Sequence, residues 1–138
     1  MKSTDILEIE TLMSRYTMCG DRGDIAGLAS CFLADGTLVF PGTEAIGREE
    51  IIAALSRGTP HTDLRRVRHH LTSSQILAEP DGSHARARTY FQVITNQGLD
   101  HSGTYVDSFM RHAEQWFISR REVRIDWQSV DSLFRRMI

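Results

Sequence analysis

A phenol, a carboxylate and an imidazole occur in this 138-residue chain in a pattern that could serve acid–base chemistry. Tyr16 and Asp21 lie near the end of an amphipathic N-terminal segment, and His69 and His70 open a long strand-like segment. Groups of these types can remove a proton from a substrate and help a hydroxyl group to leave. The combination therefore indicates a lyase pocket.

The elements that position Tyr16 and Asp21 follow from hydrophobic periodicity. Apolar residues recur at helical spacing over residues 6–16, and Gly20 and Gly23 break the run. This pattern predicts a helix with Tyr16 on its buried stripe. Asp24 has the position of a helix cap, so a second helix is expected after it, with Asp21 in the joint between the two helices. Taken alone, Asp21 would be a helix-end or turn residue and Tyr16 a core aromatic.

The remaining segments predict an α+β fold. A short strand is expected over residues 37–40, a third helix after Gly47, a loop over residues 57–65 and a short closing helix over residues 129–138. Four strand patterns fill most of the second half, at residues 66–78, 83–95, 101–112 and 115–128. Because these strands exceed the usual length of about five or six residues, we expect an antiparallel sheet strongly curved around a cavity.

Alternation along the long strands predicts which side chains point inward. His69 falls on the more apolar face of its strand and His70 on the opposite face, and His70 is the fallback if the parity is reversed. In the last strand, Arg121 and Trp127 share a face, and Arg121 is the arginine expected to point inward. Arg121 could instead join a surface ladder with Glu122 or Asp126. A β-bulge in either strand would reverse these assignments from that point onward.

Composition narrows the classes of partner. The chain carries 16 Lys plus Arg against 18 Asp plus Glu, a net charge of -2, so it lacks the basic field that nucleic acid or an anionic membrane requires. A small, neutral ligand is compatible with this balance. No apolar run approaches the roughly 20 residues of a membrane span, and the polar first residues do not resemble a signal peptide, so a cytoplasmic location is expected.

Cofactor and metal chemistry have no support in the sequence. Cys19 and Cys31 lack CxxC spacing and companion cysteines, so we expect reduced packing residues rather than a disulfide framework or a zinc site. The chain has no dinucleotide fingerprint and no phosphate loop. We therefore expect no cofactor and no metal.

The order and spacing of short motifs resemble the SnoaL-like branch of the nuclear transport factor 2 superfamily over nearly the whole chain. The pieces are Arg15-Tyr16, Asp21, Asp24, Phe32 and Asp35-Gly36, then Arg68-His69-His70 and Thr72, then Asp81-Gly82 and Ala85, then Gly103, Tyr105, Asp107 and Arg111, and last Trp116 and Arg121. The resemblance implies one domain over residues 1–138. Its fold would be a cone-shaped α+β barrel, with helices closing a curved sheet around a deep hydrophobic pocket.

Within this superfamily the chain is most similar to the dehydratase-like lyases, which include scytalone dehydratase, bile acid 7α-dehydratase and lindane dehydrochlorinase. The resemblance implies a base dyad of Asp21 and His69, with Tyr16 and Arg121 as further catalytic residues. The dehydrochlorinase has a lysine at the position of Tyr16, which argues for an oxygen leaving group rather than a halide.

One part of that constellation is missing. An aspartate that the bile acid enzyme carries in its second long strand falls here near Tyr90 or Gln92. We expect these two residues, together with His70 and Trp127, to contact the substrate. The identity of the substrate does not transfer.

The implied function is a cofactor-independent lyase that eliminates water from a small hydrophobic cyclic or polyketide-like substrate. One alternative is an isomerase of the ketosteroid type, in which the carboxylate of Asp21 or Asp107 would replace His69 as the base. Another is a noncatalytic ligand-binding module, in which Asp21 and His69 would lie too far apart to bond. The exposed face of a curved sheet usually needs covering, so a homodimer or homotrimer is expected.

Overall fold

The computed structural model describes residues 2–138 and contains a curved six-stranded sheet with helices packed against it. The helices are α1 (Ser3–Arg22), α2 (Ile25–Ala29) and α3 (Arg48–Leu55), and the strands are β1 (Phe32–Phe40), β2 (Thr43–Ile46), β3 (Val67–Ala78), β4 (His84–Thr95), β5 (Gly98–His112) and β6 (Gln115–Gln128). The strand order is β2-β1-β6-β5-β4-β3. β1 runs parallel to β6, and the other neighbours are antiparallel. The predicted α+β fold is confirmed.

Helix α1 covers the inner face of the sheet with its apolar stripe. Ile9, Met13 and Tyr16 are buried there, and the indole N–H of Trp116 donates to Asp5 Oδ1 at 3.0 Å. This bond ties the first turn of α1 to the start of β6. The core therefore lies between α1 and the sheet, which is where the predicted site residues of both elements can meet.

Three local expectations differ from the structure. Helix α1 continues through Gly20 to Arg22 and ends at Gly23, whose positive φ of 74° suits glycine, so Asp21 lies in its last turn rather than in a joint. Strand β1 begins at Phe32, earlier than predicted, and β2 follows it as a strand that periodicity missed. Four residues are too few to show a clear alternation.

The predicted closing helix over residues 129–138 is wrong. This segment is irregular, because side chains rather than a helical ladder satisfy its backbone. Gln128 Nε2 donates to the carbonyl of Arg135, and the N–H of Met137 donates to Gln128 Oε1. These hydrogen bonds hold the segment against the end of the sheet.

β-bulges decide which side chains face inward. The register of β3 shifts between Leu71 and Ser74, so His69 and Leu71 point inward before the shift and Ile76 after it. A further shift in the β5–β6 pairing, between Ser108 and Phe109, brings both Ile118 and Arg121 to the buried side. A strict alternation would have placed these two on opposite faces.

Candidate active site

The Asp21–His69 pair forms where the last turn of α1 meets the start of β3. His69 Nδ1 lies 2.7 Å from Asp21 Oδ1, and the backbone N–H of His69 donates to Oδ2 at 3.0 Å. The side chain of Asp21 is 7% exposed and that of His69 is 27% exposed. Two contacts from one residue fix the carboxylate, while the imidazole keeps an accessible edge.

The bond to Asp21 determines what the imidazole of His69 can do. An ionised carboxylate can only accept hydrogen bonds, so Nδ1 must carry the proton. The lone pair of a neutral ring is then on Nε2, which has no hydrogen-bond partner among residues 2–138. A histidine held in this way can take a proton from a bound molecule.

A buried ion pair lies deeper in the same interior. Arg121 donates from Nε and Nη2 to the two carboxylate oxygens of Asp107, at 2.8 and 2.9 Å, and neither side chain is exposed. Burial acts to lower the pKa of Arg121, but the charge and hydrogen bonds of Asp107 raise it by more. The guanidinium therefore stays charged. Its Nη1 is fully enclosed and has no hydrogen-bond partner among residues 2–138.

Two phenol rings contact this guanidinium. Arg121 Cζ lies 4.2 Å from the ring centroid of Tyr16 and 3.8 Å from that of Tyr105. Burial raises the pKa of both phenols, more than Arg121 lowers it. Both rings therefore remain protonated at neutral pH and can donate a hydrogen bond.

Tyr105 is a site residue that the sequence analysis did not single out. It was noted as a motif member without a role, although it shares a strand face with Asp107, two positions on. The alternation of β5 is the available signal, because residues two positions apart share a strand face. A parity that points Asp107 inward therefore also points Tyr105 inward.

Phe91 connects the dyad to the deeper ion pair. Its ring stacks on Tyr105 at 4.3 Å and lies 6.4 Å from the ring of His69. A Cβ atom on Gly103 would lie 2.7 Å from the Phe91 ring and 2.0 Å from the carbonyl oxygen of Arg124. Gly103 therefore provides the room that this aromatic ring occupies.

A surface groove opens between the two elements that carry the dyad. It lies between α1 and β3, has a volume of about 310 Å³ and is lined by Met13, Ser14, Leu71 and Ser74 among others. Leu71 shares the inward face of β3 with His69, and Met13 lies one turn before Tyr16. The groove therefore adjoins these two elements, although neither Asp21 nor His69 lines it.

The four expected substrate contacts lie on the other side of the sheet. His70, Gln92 and Trp127 form part of one cross-strand row on the outer face, and Trp127 is 47% exposed. Tyr90, 56% exposed, lies on the same outer face. The bulge near the end of β6 separates Trp127 from the face of Arg121. The structure therefore does not bring these four residues to the Asp21–His69 pair.

The possible surface ladder around Glu122 forms without Arg121. Glu122 accepts hydrogen bonds from Arg120 and Arg124, which flank it on the exposed side of β6. Arg121 pairs with Asp107 instead. Asp107 was an alternative base, but both of its oxygens are occupied by the guanidinium.

Metal ligands are not clustered in the part of the chain that the structure describes. Residues 2–138 contain no group of three or more His, Cys, Asp or Glu side chains placed to hold an ion. In the same range, the helices are too short or too polar to cross a membrane.

Comparison with known proteins assigns the fold to a family. The sequence model of the SnoaL-like domain matches residues 1–122. The chain belongs to the SnoaL-like family. This family has the nuclear transport factor 2-like, or cystatin-like, fold and binds small hydrophobic molecules. No curated protein matches the sequence.

Several solved structures are similar to this SnoaL-like domain. A Mycobacterium tuberculosis protein of unknown function, Rv3472, is 29% identical with a TM-score of 0.78, covering 94% of this chain and 81% of that one. A nuclear transport factor 2-like protein from Novosphingobium aromaticivorans is 27% identical with a TM-score of 0.79, covering 94% and 86%. A candidate scytalone dehydratase from the same organism is 24% identical with a TM-score of 0.82, covering 97% and 91%.

Proposed function

We propose that this SnoaL-like domain is a cofactor-independent lyase of the dehydratase type, acting on small hydrophobic cyclic or polyketide-like molecules. The observation that carries this proposal is the Asp21–His69 hydrogen bond of 2.7 Å, on a ring that is 27% exposed and whose Nε2 has no hydrogen-bond partner among residues 2–138. A hydroxyl group on the carbon β to a ketone is the substrate feature that such a base serves best, because the ketone acidifies the proton to be removed.

The elimination begins at His69. Its Nε2 takes a proton from the carbon next to the ketone, and the electron pair of that C–H bond moves toward the carbonyl oxygen. Asp21 holds Nδ1–H and stabilises the positive charge that the ring acquires. The negative charge on the oxygen then returns to form the carbon–carbon double bond as the C–O bond to the leaving hydroxyl breaks.

Tyr16 and Arg121 stabilise the developing charges. Tyr16 donates a proton to the departing hydroxyl, which leaves as water, and the proton on His69 restores the phenol through solvent. Arg121 is fully buried against the ring of Tyr16, so it stabilises the enolate oxygen through its positive charge and not through a direct hydrogen bond. Such a charge is most effective in a buried setting, where water does not screen it.

The comparisons support the proposal at the level of the family. SnoaL-like domains bind small hydrophobic molecules, and one structural neighbour carries the name of a dehydratase. At 24% identity that neighbour supports the fold alone. We therefore base the reaction on the residues of this chain.

Two other functions fit the observations less well. An isomerase would need a free carboxylate base, but the oxygens of Asp107 are held by Arg121 and those of Asp21 by His69. A binding module would not need the Asp21–His69 bond. A dehydration product, lighter than its substrate by one water, distinguishes a lyase from both.

Location and assembly stay predictions. We expect the protein in the cytoplasm and as a homodimer or homotrimer. Exposed Leu77, Tyr90, Leu99 and Trp127 are the large apolar side chains on the long strands that a second copy would cover. Light scattering of the purified protein would give the number of subunits.

A screen for loss of water tests the proposed reaction. The wild-type protein is incubated with 3-hydroxycyclohexanone and with larger cyclic β-hydroxyketones, and the products are analysed by mass spectrometry. We expect at least one of these ketones to yield its unsaturated ketone faster than in buffer or with heat-denatured protein. Products of unchanged mass would favour the isomerase, and no conversion of any of them would contradict the lyase.

A further inference from the structure

A second Asp–His pair lies at the start of β5, outside the proposed catalytic set. His101 Nδ1 lies 2.6 Å from Asp100 Oδ1, and both side chains are buried. The carboxylate also accepts from the hydroxyl of Ser132 and from the backbone N–H of Leu133. Asp100 is therefore fixed by the irregular C-terminal segment as well as by the imidazole.

These contacts determine the tautomer of His101. Burial acts to raise the pKa of Asp100, but the hydrogen bonds from Ser132, His101 and Leu133 lower it by more. The ionised carboxylate requires a proton on Nδ1. Burial also lowers the pKa of His101, which keeps the ring neutral at neutral pH. Nε2 is then a hydrogen-bond acceptor.

Nε2 of His101 has no hydrogen-bond partner in the described part of the chain, yet it is not fully enclosed. Among residues 2–138, the fully enclosed side-chain nitrogens and oxygens that lack a partner are Thr17 Oγ1 and Arg121 Nη1. Nε2 of His101 is absent from that pair and makes no hydrogen bond. It therefore keeps a small accessible surface on a side chain that is 6% exposed.

His101 and His69 belong to one row of the sheet. Val93 of β4 pairs with His69 on one side and with His101 on the other. Two strand spacings place their Cα atoms about 10 Å apart. The ring of Phe91 lies 6.4 Å from His69 and 6.3 Å from His101. The two imidazoles thus flank the same aromatic side chain.

We propose that His101 is a specificity-determining residue of this site, whose Nε2 accepts a hydrogen bond from a second hydroxyl group on the substrate ring. This inference rests on the proposed function, because it takes the reacting end of the substrate to be at His69. It assigns the substrate to the class of rings with two hydroxyl groups, one lost in the reaction and one kept. Phe134, whose ring packs on His101 at 5.0 Å, forms the wall beyond it.

The probes for this inference are resorcinol and phenol, two unreactive rings that differ by one hydroxyl group. Protein labelled with ¹⁵N-histidine is titrated with each, and the Nε2 resonances are followed by NMR. We expect resorcinol to shift the Nε2 resonance of His101 in a saturable manner, as happens when a neutral imidazole accepts a hydrogen bond. An unmoved His101 resonance, or no saturable binding, would overturn the inference.

The His101→Asn variant separates recognition from structure. The asparagine amide can still donate to Asp100, whereas the acceptor at Nε2 is lost. We expect its affinity for resorcinol to fall by about 2- to 12-fold, the worth of one neutral hydrogen bond, with no change for phenol. An equal loss for both rings would indicate a structural role and contradict the inference. If this variant does not fold, the shift in the wild-type protein decides.

Failure of this inference is distinguishable from failure of the lyase proposal. The titration involves no turnover, so it gives a result even if no ketone is dehydrated. A protein that dehydrates ketones without a response at His101 would retain the proposed function and lose this inference. The exposed Asp81–His84 pair, with a bond of 2.6 Å, supplies the matched control variant His84→Asn, which should bind both rings as the wild type does.

Discussion

Two Asp–His pairs in this molecule have almost the same hydrogen bond in very different surroundings. The Nδ1–carboxylate distance is 2.7 Å for Asp21–His69 and 2.6 Å for Asp81–His84. The first joins residues that are 48 positions apart and has a carboxylate that is 7% exposed. The second joins residues three positions apart in the turn before β4, and its carboxylate is 54% exposed.

The difference shows that an Asp–His bond is not by itself a catalytic feature. In the turn, Asp81 also accepts from the backbone of Ser83 and His84, so local chain geometry explains that pair completely. Asp21 and His69 meet only because α1 packs across β3. The ring of His69 also lies beside Phe91, which stacks on Tyr105 next to the buried Arg121. A reactive group needs this setting, and a turn does not provide it.

The largest effect expected from this comparison concerns turnover. Asp21→Asn replaces a pure acceptor by an amide, which weakens the preference for Nδ1–H and removes the charge that stabilises the protonated ring. We expect the dehydration rate to fall by about 10²- to 10⁴-fold, measured by steady-state kinetics on the ketone found in the screen. Asp81→Asn is the matched control and should retain the wild-type rate. Equal losses in both variants would break the distinction between the two pairs.

Burial should also distinguish two other charge clusters, here by their contributions to the free energy of unfolding. Asp107→Asn leaves the guanidinium of Arg121 without its counter-charge in an environment with no solvent exposure, and we expect the free energy of unfolding to fall by about 3–5 kcal/mol. Glu122→Gln removes bonds to Arg120 and Arg124 that are largely exposed, and should cost about 0–1 kcal/mol. Chemical denaturation measures both. A small loss for Asp107→Asn would mean that the buried pair contributes no more than the surface one.

The smallest effect is a pH dependence of stability that comes from His101. Its pKa in the folded protein lies below the ordinary value of 6.5, so the unfolded chain binds the proton more tightly. The stability contributed by the neutral ring is complete above 6.5 and decreases as the pH falls from there toward the folded pKa. The unfolding free energy of the wild type should therefore decline from about pH 7.5 to about pH 5.5 more steeply than that of His101→Asn. Parallel pH profiles would contradict the burial of a neutral imidazole.

Periodicity predicted the elements of the fold well where it is strong. The buried stripe of α1, the Asp24 cap of α2 and the four long strands all follow from apolar spacing and turn residues, because those signals are local. The short strand β2 and the irregular C-terminal segment have no such signal. The backbone of the C-terminal segment is satisfied by side chains from elsewhere, which a local pattern does not reveal.

The site was predictable only in part, for reasons of geometry. Asp21 and His69 were paired through a family resemblance, since spacing along the chain does not reveal a contact across 48 positions. Strand alternation predicts the inward direction of His69 correctly, because His69 precedes the bulge of β3. It predicts the direction of Trp127 wrongly, because Trp127 follows the bulge of β6. The bond between Arg121 and Asp107 depends on the register of β5 with β6, which is a tertiary property.

The most direct test of the central claim is the dehydration rate of His69→Asn. The asparagine amide can keep the hydrogen bond to Asp21, so the fold is retained while the base at Nε2 is lost. We predict a rate about 10²- to 10⁴-fold below that of the wild type, with an unchanged melting temperature and circular-dichroism spectrum. A folded His69→Asn protein that dehydrates the ketone at the wild-type rate would show that His69 is not the base.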